Sequence, residues 1–295
     1  MRRRSQLGLA ALAALGLALH ASAGAPGAQA YVASYDWREA DPAFGGMSAI
    51  EMNDDGTTFT AMSDRGTLFQ GRITRGDTGE IRRITDVTIH PLHGQDGQLL
   101  TTAFDDTEGL AIAPDGTLFV SQEGPARVLR YDGPDAAATV LPIPREFAAM
   151  QKNASLEALA IAPDGALFTL PERSGEVTRP FPVFRFANHG WTQPFTIPRD
   201  GDYLPAGADF GPDGMLYILE RNFQGITGFQ SRVRRFTETG EGGETVLETY
   251  LGQHGNLEGL SVWRDATGAI RLTMVSDDNY RFFLRTTLVE YTIAD

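Results

Sequence analysis

Three glutamates open three related stretches of the sequence, and their chemistry is that of cation ligands. Glu108, Glu157 and Glu258 each begin a short apolar segment of the form E-[GA]-L. Asp64 and Asp277 each end the apolar segment that follows the next turn. Carboxylate oxygens are the ligands that calcium and magnesium prefer, and the sequence has no cysteine and only five histidines. If these acids meet, they predict a site for a divalent cation, with calcium the expected ion.

Basic side chains stand beside these acids and could serve catalysis. Arg65, Arg173 and Arg221 each directly follow an acid, and we expect them to steady negative charge that develops on a substrate. His254 alternates with Asn256 and Glu258 along one extended segment, so it is a candidate general base. The alternative is that the arginines only neutralise the acids in a structural network and that His254 is a surface residue.

A repeated phrase shows which elements must position these residues. EGLAIAPDG ends at Gly116, EALAIAPDG ends at Gly165, and ADFGPDG ends at Gly214. Looser copies end at Gly56 and Gly268, so the copies recur roughly every 50 residues, the repeat length of a propeller. Each copy is an apolar strand, an Asp-Gly turn and a second strand, which is the pattern of a β-hairpin.

The repeats predict an all-β fold, a β-propeller of about five four-stranded blades over residues 31–295. The N-terminal strand near residues 32–37 is expected to close the ring beside the C-terminal strand. Six blades is the alternative count, whereas a β-sandwich gives no reason for repeats of constant length. The inner strand of each blade lines the tunnel, so both outer ends of each hairpin lie at one mouth. The turn aspartates Asp55, Asp115, Asp164 and Asp213 lie at the opposite end.

The first thirty residues differ from the rest. Arg2, Arg3 and Arg4 precede an apolar stretch and an A-x-A ending at Ala30, which predicts a signal peptide cleaved there and a periplasmic or secreted protein. The formal net charge is −13 and becomes more negative when this leader is removed. Such a chain repels nucleic acid, and no later apolar run is long enough to span a membrane. We expect a monomer that acts on a small molecule, phosphorylated or a sugar derivative.

Ungapped phrases give the chain a resemblance to a known family. They are FGGMSAI at 44–50, SDRG at 63–66, NASLEAL at 153–159, LPER at 170–173, GADFGPDG at 207–214, LER at 219–221, NLEGL at 256–260 and SDDN at 276–279. With them the chain resembles the phytase-like domain family, whose bacterial members are described by an esterase-like activity of phytase. The resemblance implies a propeller and a phosphoester or ester hydrolase. The chain lacks the R-H-G-x-R-x-P phrase of histidine acid phosphatases, and Lys152 is its only lysine.

Three functions remain open at this point. The first is an exported, metal-dependent hydrolase of phosphoesters or esters at the acidic mouth. The second is a sugar lactonase of the gluconolactonase type, which the E-G-L start and P-D-G turn also resemble. The third is a propeller that binds a ligand or metal without catalysis, because a fold alone does not establish chemistry. No G-x-S-x-G elbow, H-E-x-x-H phrase or nucleotide-binding loop is present.

Overall fold

A computed structural model describes residues 29–101 and 106–294, and it contains five four-stranded antiparallel sheets arranged as a propeller. The predicted all-β fold and the count of five blades are both confirmed. The predicted leader at residues 1–30 lies almost wholly outside the described residues. None of the helices in the described ranges has the length and apolar character that a membrane crossing needs.

The strands follow the chain from blade to blade. Blade 1 contains β2 (Met47–Met52), β3 (Thr58–Ser63), β4 (Thr67–Arg75) and β5 (Ile81–Pro91), after β1 (Ala30–Asp36). Blade 2 contains β6 (Thr107–Ile112), β7 (Leu118–Gln122), β8 (Arg127–Tyr131) and β9 (Thr139–Val140). Blade 3 contains β10 (Leu156–Ile161), β11 (Leu167–Pro171), β12 (Phe181–Ala187) and β13 (Gly190–Ile197). Blade 4 contains β14 (Leu204–Phe210), β15 (Leu216–Phe223), β16 (Phe229–Phe236) and β17 (Gly242–Glu248). Blade 5 contains β18 (Asn256–Arg264), β19 (Ile270–Asp277) and β20 (Thr287–Ile293).

Strand β1 completes blade 5, as the sequence predicts. It pairs antiparallel with β20, with Tyr35 opposite Leu288, so the first described strand closes the ring on the last. Trp37 follows directly and is buried at the junction with blade 1. Its ring packs edge-on against Phe59 at 5.1 Å between centroids, one of several aromatic contacts that hold the junction.

The hydrophobic core lies between blades rather than inside any one of them. Each of five apolar clusters joins two neighbouring blades; one runs from Phe168 in blade 3 to Phe210 in blade 4. Because every sheet buries both faces against its neighbours, the ring is held by side-chain packing and needs no disulfide. The helix α1 (Arg145–Ala148) adds Phe147 to the cluster between blades 2 and 3, and a 3-10 turn covers Gly225–Thr227.

The hairpin turns at the end opposite the acidic mouth follow the Asp-Gly pattern. Asp115 accepts a hydrogen bond from the Thr117 amide at 3.0 Å, and Asp164 accepts one from the Ala166 amide at 2.9 Å. These aspartates therefore serve the turns, as the sequence predicts.

The inner strands approach so closely that they constrict the tunnel. A Cβ added at Gly207 of β14 would lie 2.4 Å from the Glu258 carbonyl oxygen, and one at Gly259 of β18 would lie 2.8 Å from the Ala49 Cα. Glycine is required at both positions because backbone stands where a side chain would go. The constriction leaves a void of about 10 Å³ between the two mouths.

Candidate functional site

A β-bulge turns one residue of each inner strand into the tunnel. In all five blades the pairing of the first two strands shifts register at the start of the inner strand. The ring residues at these bulges are Ser48, Glu108, Glu157, Ala206 and Glu258. In a bulge, two residues of one strand lie opposite a single residue of the partner strand. The side chain of the extra residue therefore points in a different direction from the one that regular pleating would give it. The predicted gathering of glutamates rests on this repeated irregularity.

The ring residues and the ends of the second strands form one acidic cavity. Its volume is about 180 Å³. Its walls consist of Ser48, Asp64, Glu108, Glu123, Asn153, Glu157, Glu172, Arg221, Glu258 and Asp277. The structure therefore brings together all five predicted metal ligands, and adds Glu123 and Glu172 to them. Among the described residues in these walls, Arg221 is the one cation.

Arg221 neutralises one side of the acidic cavity. It follows Glu220 near the end of β15, and its guanidinium lies 3.1 Å from the Glu157 carboxylate and 3.5 Å from that of Glu172. It also donates to Glu258 and, at 2.9 Å, to the Asn256 side-chain oxygen. One guanidinium thus joins blades 3, 4 and 5 through charge-assisted hydrogen bonds. The expected structural network exists here, and it uses two of the glutamates predicted to bind metal.

A tighter group of acids includes two residues of the cavity walls, Glu108 and Glu123, together with Asp106. Carboxylate oxygens of Asp106, Glu108 and Glu123 all lie within 4.8 Å of one another, a spacing that one cation can bridge. We call these three residues the carboxylate triad. Glu123 directly follows β7, as Asp64 follows β3, and Asp106 precedes its ring glutamate by two residues, as Asn256 does. Both residues were therefore detectable in the repeat, although the predicted ligand set did not include them.

Burial raises the pKa values of three acids in the cavity walls, Asp64, Glu108 and Glu123. Burial, followed by the charges of Asp106 and Glu172, raises the pKa of Glu123 to about 7. Burial and the charge of Asp277 raise the pKa of Asp64 to about 6. The pKa of Glu108 is raised well above its ordinary value by burial and by the charge of Glu157. Asp64, Glu108 and Glu123 therefore hold protons more tightly than ordinary carboxyl groups, and a bound cation would compete with those protons.

The other three predicted catalytic residues lie outside the cavity walls. Arg65 stacks on the Tyr280 ring at 3.6 Å from its centroid, beside Asp64. Arg173 is half-exposed and pairs with Glu172 at 3.4 Å. His254 contacts the Tyr291 hydroxyl at 2.8 Å and stacks with Tyr31, away from the ring glutamates, and burial lowers its pKa. The alternation with Asn256 does not carry His254 into the tunnel, because it precedes the first residue of β18 and the bulge.

A second acidic pair lies beyond the constriction. Glu51 of β2 and Asp209 of β14 both approach the Ser261 hydroxyl, at 3.5 and 3.4 Å. Burial raises the pKa of Asp209 to about 7 and, together with the charge of Asp209, raises that of Glu51 well above its ordinary value. These residues line a separate cavity of about 280 Å³. The tunnel thus has an acidic group on each side of its narrowest point.

Solved structures share the fold at low identity. The catalytic domain of an α-L-arabinofuranosidase from Coprinopsis cinerea matches with a TM-score of 0.57 and 11% identity, over 91% of this chain and 98% of that one. An α-L-arabinofuranosidase from Podospora anserina in complex with cellotriose matches with a TM-score of 0.56 and 12% identity, over 92% and 98%. The calcium-binding protein regucalcin from Agrobacterium tumefaciens matches with a TM-score of 0.47 and 10% identity, over 84% and 90%. The likeness to the two arabinofuranosidase structures is one of fold.

A comparison with curated proteins finds no match. A family model described as "Esterase-like activity of phytase" matches residues 42–280, most of the chain. The matched range includes all the residues in the walls of the acidic cavity, from Ser48 to Asp277. The family resemblance drawn from the repeat phrases is confirmed, and the chain belongs to the phytase-like family.

Proposed function

We propose that the protein is a hydrolase of phosphoesters or carboxylic esters that works at the acidic cavity with a divalent cation. The observation that carries this proposal is the composition of the cavity walls, which present seven carboxylates and one arginine. These walls lie inside the range that matches the phytase-like family. So dense a set of acids is stabilised by a bound cation, because buried carboxylates repel one another when ionised.

The carboxylate triad is the proposed cation site. Asp106, Glu108 and Glu123 offer oxygen ligands only, which suits calcium or magnesium. Two other predicted ligands, Glu157 and Glu258, are bonded to Arg221 and hold that side chain in place. A bound cation would polarise the scissile group and lower the pKa of a water molecule.

Arg221 is the proposed partner for negative charge on the substrate. It is the one predicted catalytic arginine that the structure brings into the cavity wall. Its guanidinium is fixed by acids of blades 3 and 5, so a substrate oxygen would meet an oriented donor. The predicted catalytic roles of Arg65, Arg173 and His254 require a substrate that extends beyond the walls of the acidic cavity.

The size and charge of the acidic cavity restrict the substrate. A volume of about 180 Å³ is below the usual range for drug-sized ligands, so the reacting group enters while the rest of the molecule stays outside. A substrate with many phosphates would be repelled by the walls, which favours a small ester of low charge. Export, with the leader cleaved at Ala30, and action as a monomer belong to the same proposal.

A substrate panel under controlled metal tests this function. Purified protein is assayed with p-nitrophenyl phosphate, p-nitrophenyl acetate, a sugar lactone and phytate, in excess chelator and then with calcium or magnesium restored. We expect turnover of the phosphoester or the carboxylic ester, loss of that turnover in chelator, and recovery with the cation. Undiminished turnover in chelator would contradict the role of the cation.

Two other outcomes would assign a different function. Selective turnover of the lactone would favour a lactonase. A rise in melting temperature with calcium, together with no turnover of any compound, would favour a binding protein.

A further inference from the structure

A β-hairpin of blade 4 projects above the wall of the acidic cavity. Strand β14 begins at Leu204, which lies opposite Arg221, whereas β15 continues to Phe223. Residues 222 and 223 therefore extend beyond the inner strand at the acidic mouth. At this height β15 pairs with β16, and Phe223 lies opposite Phe229. The hairpin thus stands at the edge of the opening through which a substrate would enter.

Phe223 points to the same side of the hairpin as Arg221. Side chains two residues apart in a strand lie on the same face, and the pairing of β15 with β16 is regular from Leu216 to Phe223. Arg221 reaches the cavity wall from this face. Phe223 therefore lies on the same side, about 7 Å further from the constriction. Phe229 shares this face because it is the direct cross-strand partner of Phe223.

Phe223 and Phe229 form an exposed aromatic surface at the mouth. Their ring centroids are 4.8 Å apart, with 36° between the ring planes. The Phe223 side chain is 64% exposed, and Phe229 is partly exposed. Aromatic side chains that lie together beside a binding cavity are typical of ligand contacts. We call these two residues the aromatic rim.

The link between blades 4 and 5 holds the aromatic rim in place. The Gly252 amide donates a hydrogen bond to the Phe229 carbonyl oxygen at 2.8 Å. Gly252 has a left-handed φ of +72°, and a Cβ there would lie 3.0 Å from the Thr227 carbonyl oxygen. The hairpin therefore rests directly on the link, and a ligand that covers the rim has little chain motion to restrict.

We propose that the aromatic rim binds the alcohol part of the substrate and that this part is an aromatic group; this inference rests on the proposed hydrolase function. The acidic cavity, at about 180 Å³, takes the reacting group and leaves the rest of the molecule outside. In a phosphate monoester the alcohol is the only organic part. With the reacting group beside Arg221, this part reaches Phe223, which lies on the same face of the same strand.

The test compares benzyl and methyl esters of the same acid, assayed with calcium present. Benzyl alcohol and methanol are nearly equally acidic, so the two phosphates, and likewise the two acetates, differ in the apolar group and not in the leaving oxygen. We expect kcat/KM of the wild type to be roughly tenfold higher for the benzyl ester, because covering a ring and adding an aromatic contact contribute about that factor. Release of phosphate or acetate measures turnover.

Substitution of Phe223 should remove this preference. We expect Phe223→Ala to lower kcat/KM for the benzyl ester roughly tenfold and to leave that for the methyl ester unchanged, because the lost contact is with the ring alone. Ile226→Ala is the matched control, since it removes a fully exposed apolar side chain from the same hairpin but outside the aromatic rim. It should keep the preference. Both variants should melt close to the wild type, because both side chains are largely exposed.

Two kinetic results would overturn the inference. Equal kcat/KM for benzyl and methyl esters in the wild type would leave the proposed function standing and remove the aromatic group from the substrate. An equal loss on both esters in Phe223→Ala would mean that Phe223 shapes the cavity instead of binding the ring.

Binding of phosphonates tests the aromatic rim without turnover. Benzylphosphonate and methylphosphonate cannot be hydrolysed, and isothermal titration with calcium present measures their affinities. We expect benzylphosphonate to bind roughly tenfold more tightly to the wild type, and equally with methylphosphonate to Phe223→Ala. Equal affinities in the wild type, or no binding of either compound, would overturn the inference. If benzylphosphonate binds more tightly but no ester is hydrolysed, the proposed hydrolase function fails by that result alone.

Discussion

At the scale of single residues, the acidic cavity separates into two halves with different chemistry. Arg221 satisfies Glu157 and Glu258, whereas Asp106, Glu108 and Glu123 face one another at a spacing that suits a cation. A cation and Arg221 therefore do not compete for the same carboxylates. We therefore predict an effect on cation binding for the carboxylate triad and an effect on stability for Arg221.

Glu108→Gln should weaken calcium binding by roughly 10-fold to 100-fold, because it removes a charged ligand and leaves a neutral one of the same shape. Isothermal titration with calcium chloride measures the affinity. Glu241→Gln, which also removes one charge but lies on an exposed turn, should bind as the wild type does. Equal affinities in the two variants would place the cation elsewhere.

Arg221→Ala should destabilise the protein by about 3–5 kcal/mol, because it leaves the buried carboxylates of Glu157 and Glu258 without their shared partner. Chemical denaturation measures the free energy of unfolding. Calcium should recover more stability in this variant than in the wild type, since a cation can replace the lost charge. A loss below 1 kcal/mol would show that the network contributes little.

At the scale of strands, the position of the acids depends on backbone irregularities as much as on residue types. The turn glycines and the E-[GA]-L phrases made the five blades and the common mouth predictable, because repeats of constant length must occupy equivalent positions. The bulges were not predictable from the sequence, and neither were the ion pairs of Arg221 with Glu157 and Glu258. Both depend on the distance between neighbouring inner strands. The stacking of Arg65 on the Tyr280 ring was not predictable from the sequence for the same reason.

Gly207→Ala should destabilise the ring, because its Cβ would stand 2.4 Å from the Glu258 carbonyl oxygen and neither strand can yield without disturbing the bulge. We expect a loss of roughly 1–3 kcal/mol, as for other overpacked core positions. Gly190→Ala is the matched control: it also lies in a strand, but nothing stands within 4 Å of an added Cβ. Thermal unfolding of the two variants measures the difference, and equal melting temperatures would show that the constriction is loose.

At the scale of the whole molecule, the ring concentrates negative charge on its own axis. Acids of blades 1, 2, 3 and 5 meet in the acidic cavity, and Glu51 and Asp209 meet beyond the constriction. Interblade packing is what stabilises this arrangement, because the sheets cannot separate without exposing their apolar faces. The ionised carboxylates therefore repel one another in the folded protein, and bound protons or a cation can reduce that repulsion.

The repulsion between these carboxylates predicts how stability depends on pH. The pKa rises from 3.8 to about 6 for Asp64 and from 4.5 to about 7 for Glu123, so the folded protein binds these protons more tightly than the unfolded chain. Their contribution to the free energy of unfolding is fully present below a pH of about 4 and is lost as pH rises through 6 and 7. Hydrogen bonds from Thr57 and Thr117 lower the pKa values of Asp55 and Asp115. The contribution of these two aspartates to the free energy of unfolding is therefore lost as pH falls, in a range below that of Asp64 and Glu123.

We therefore expect the melting temperature in chelator to fall between about pH 5 and pH 8, and excess calcium to flatten that decline because the cation takes the place of the protons. Differential scanning calorimetry across this range, with and without calcium, measures both curves. Glu123→Gln should flatten part of the decline in chelator, since it removes a group that titrates near neutral pH, whereas Glu241→Gln should leave the curve unchanged. A melting temperature that rises with pH in chelator would mean that the acids are not repelling one another in the folded protein, and the proposed cation site would lose its physical basis.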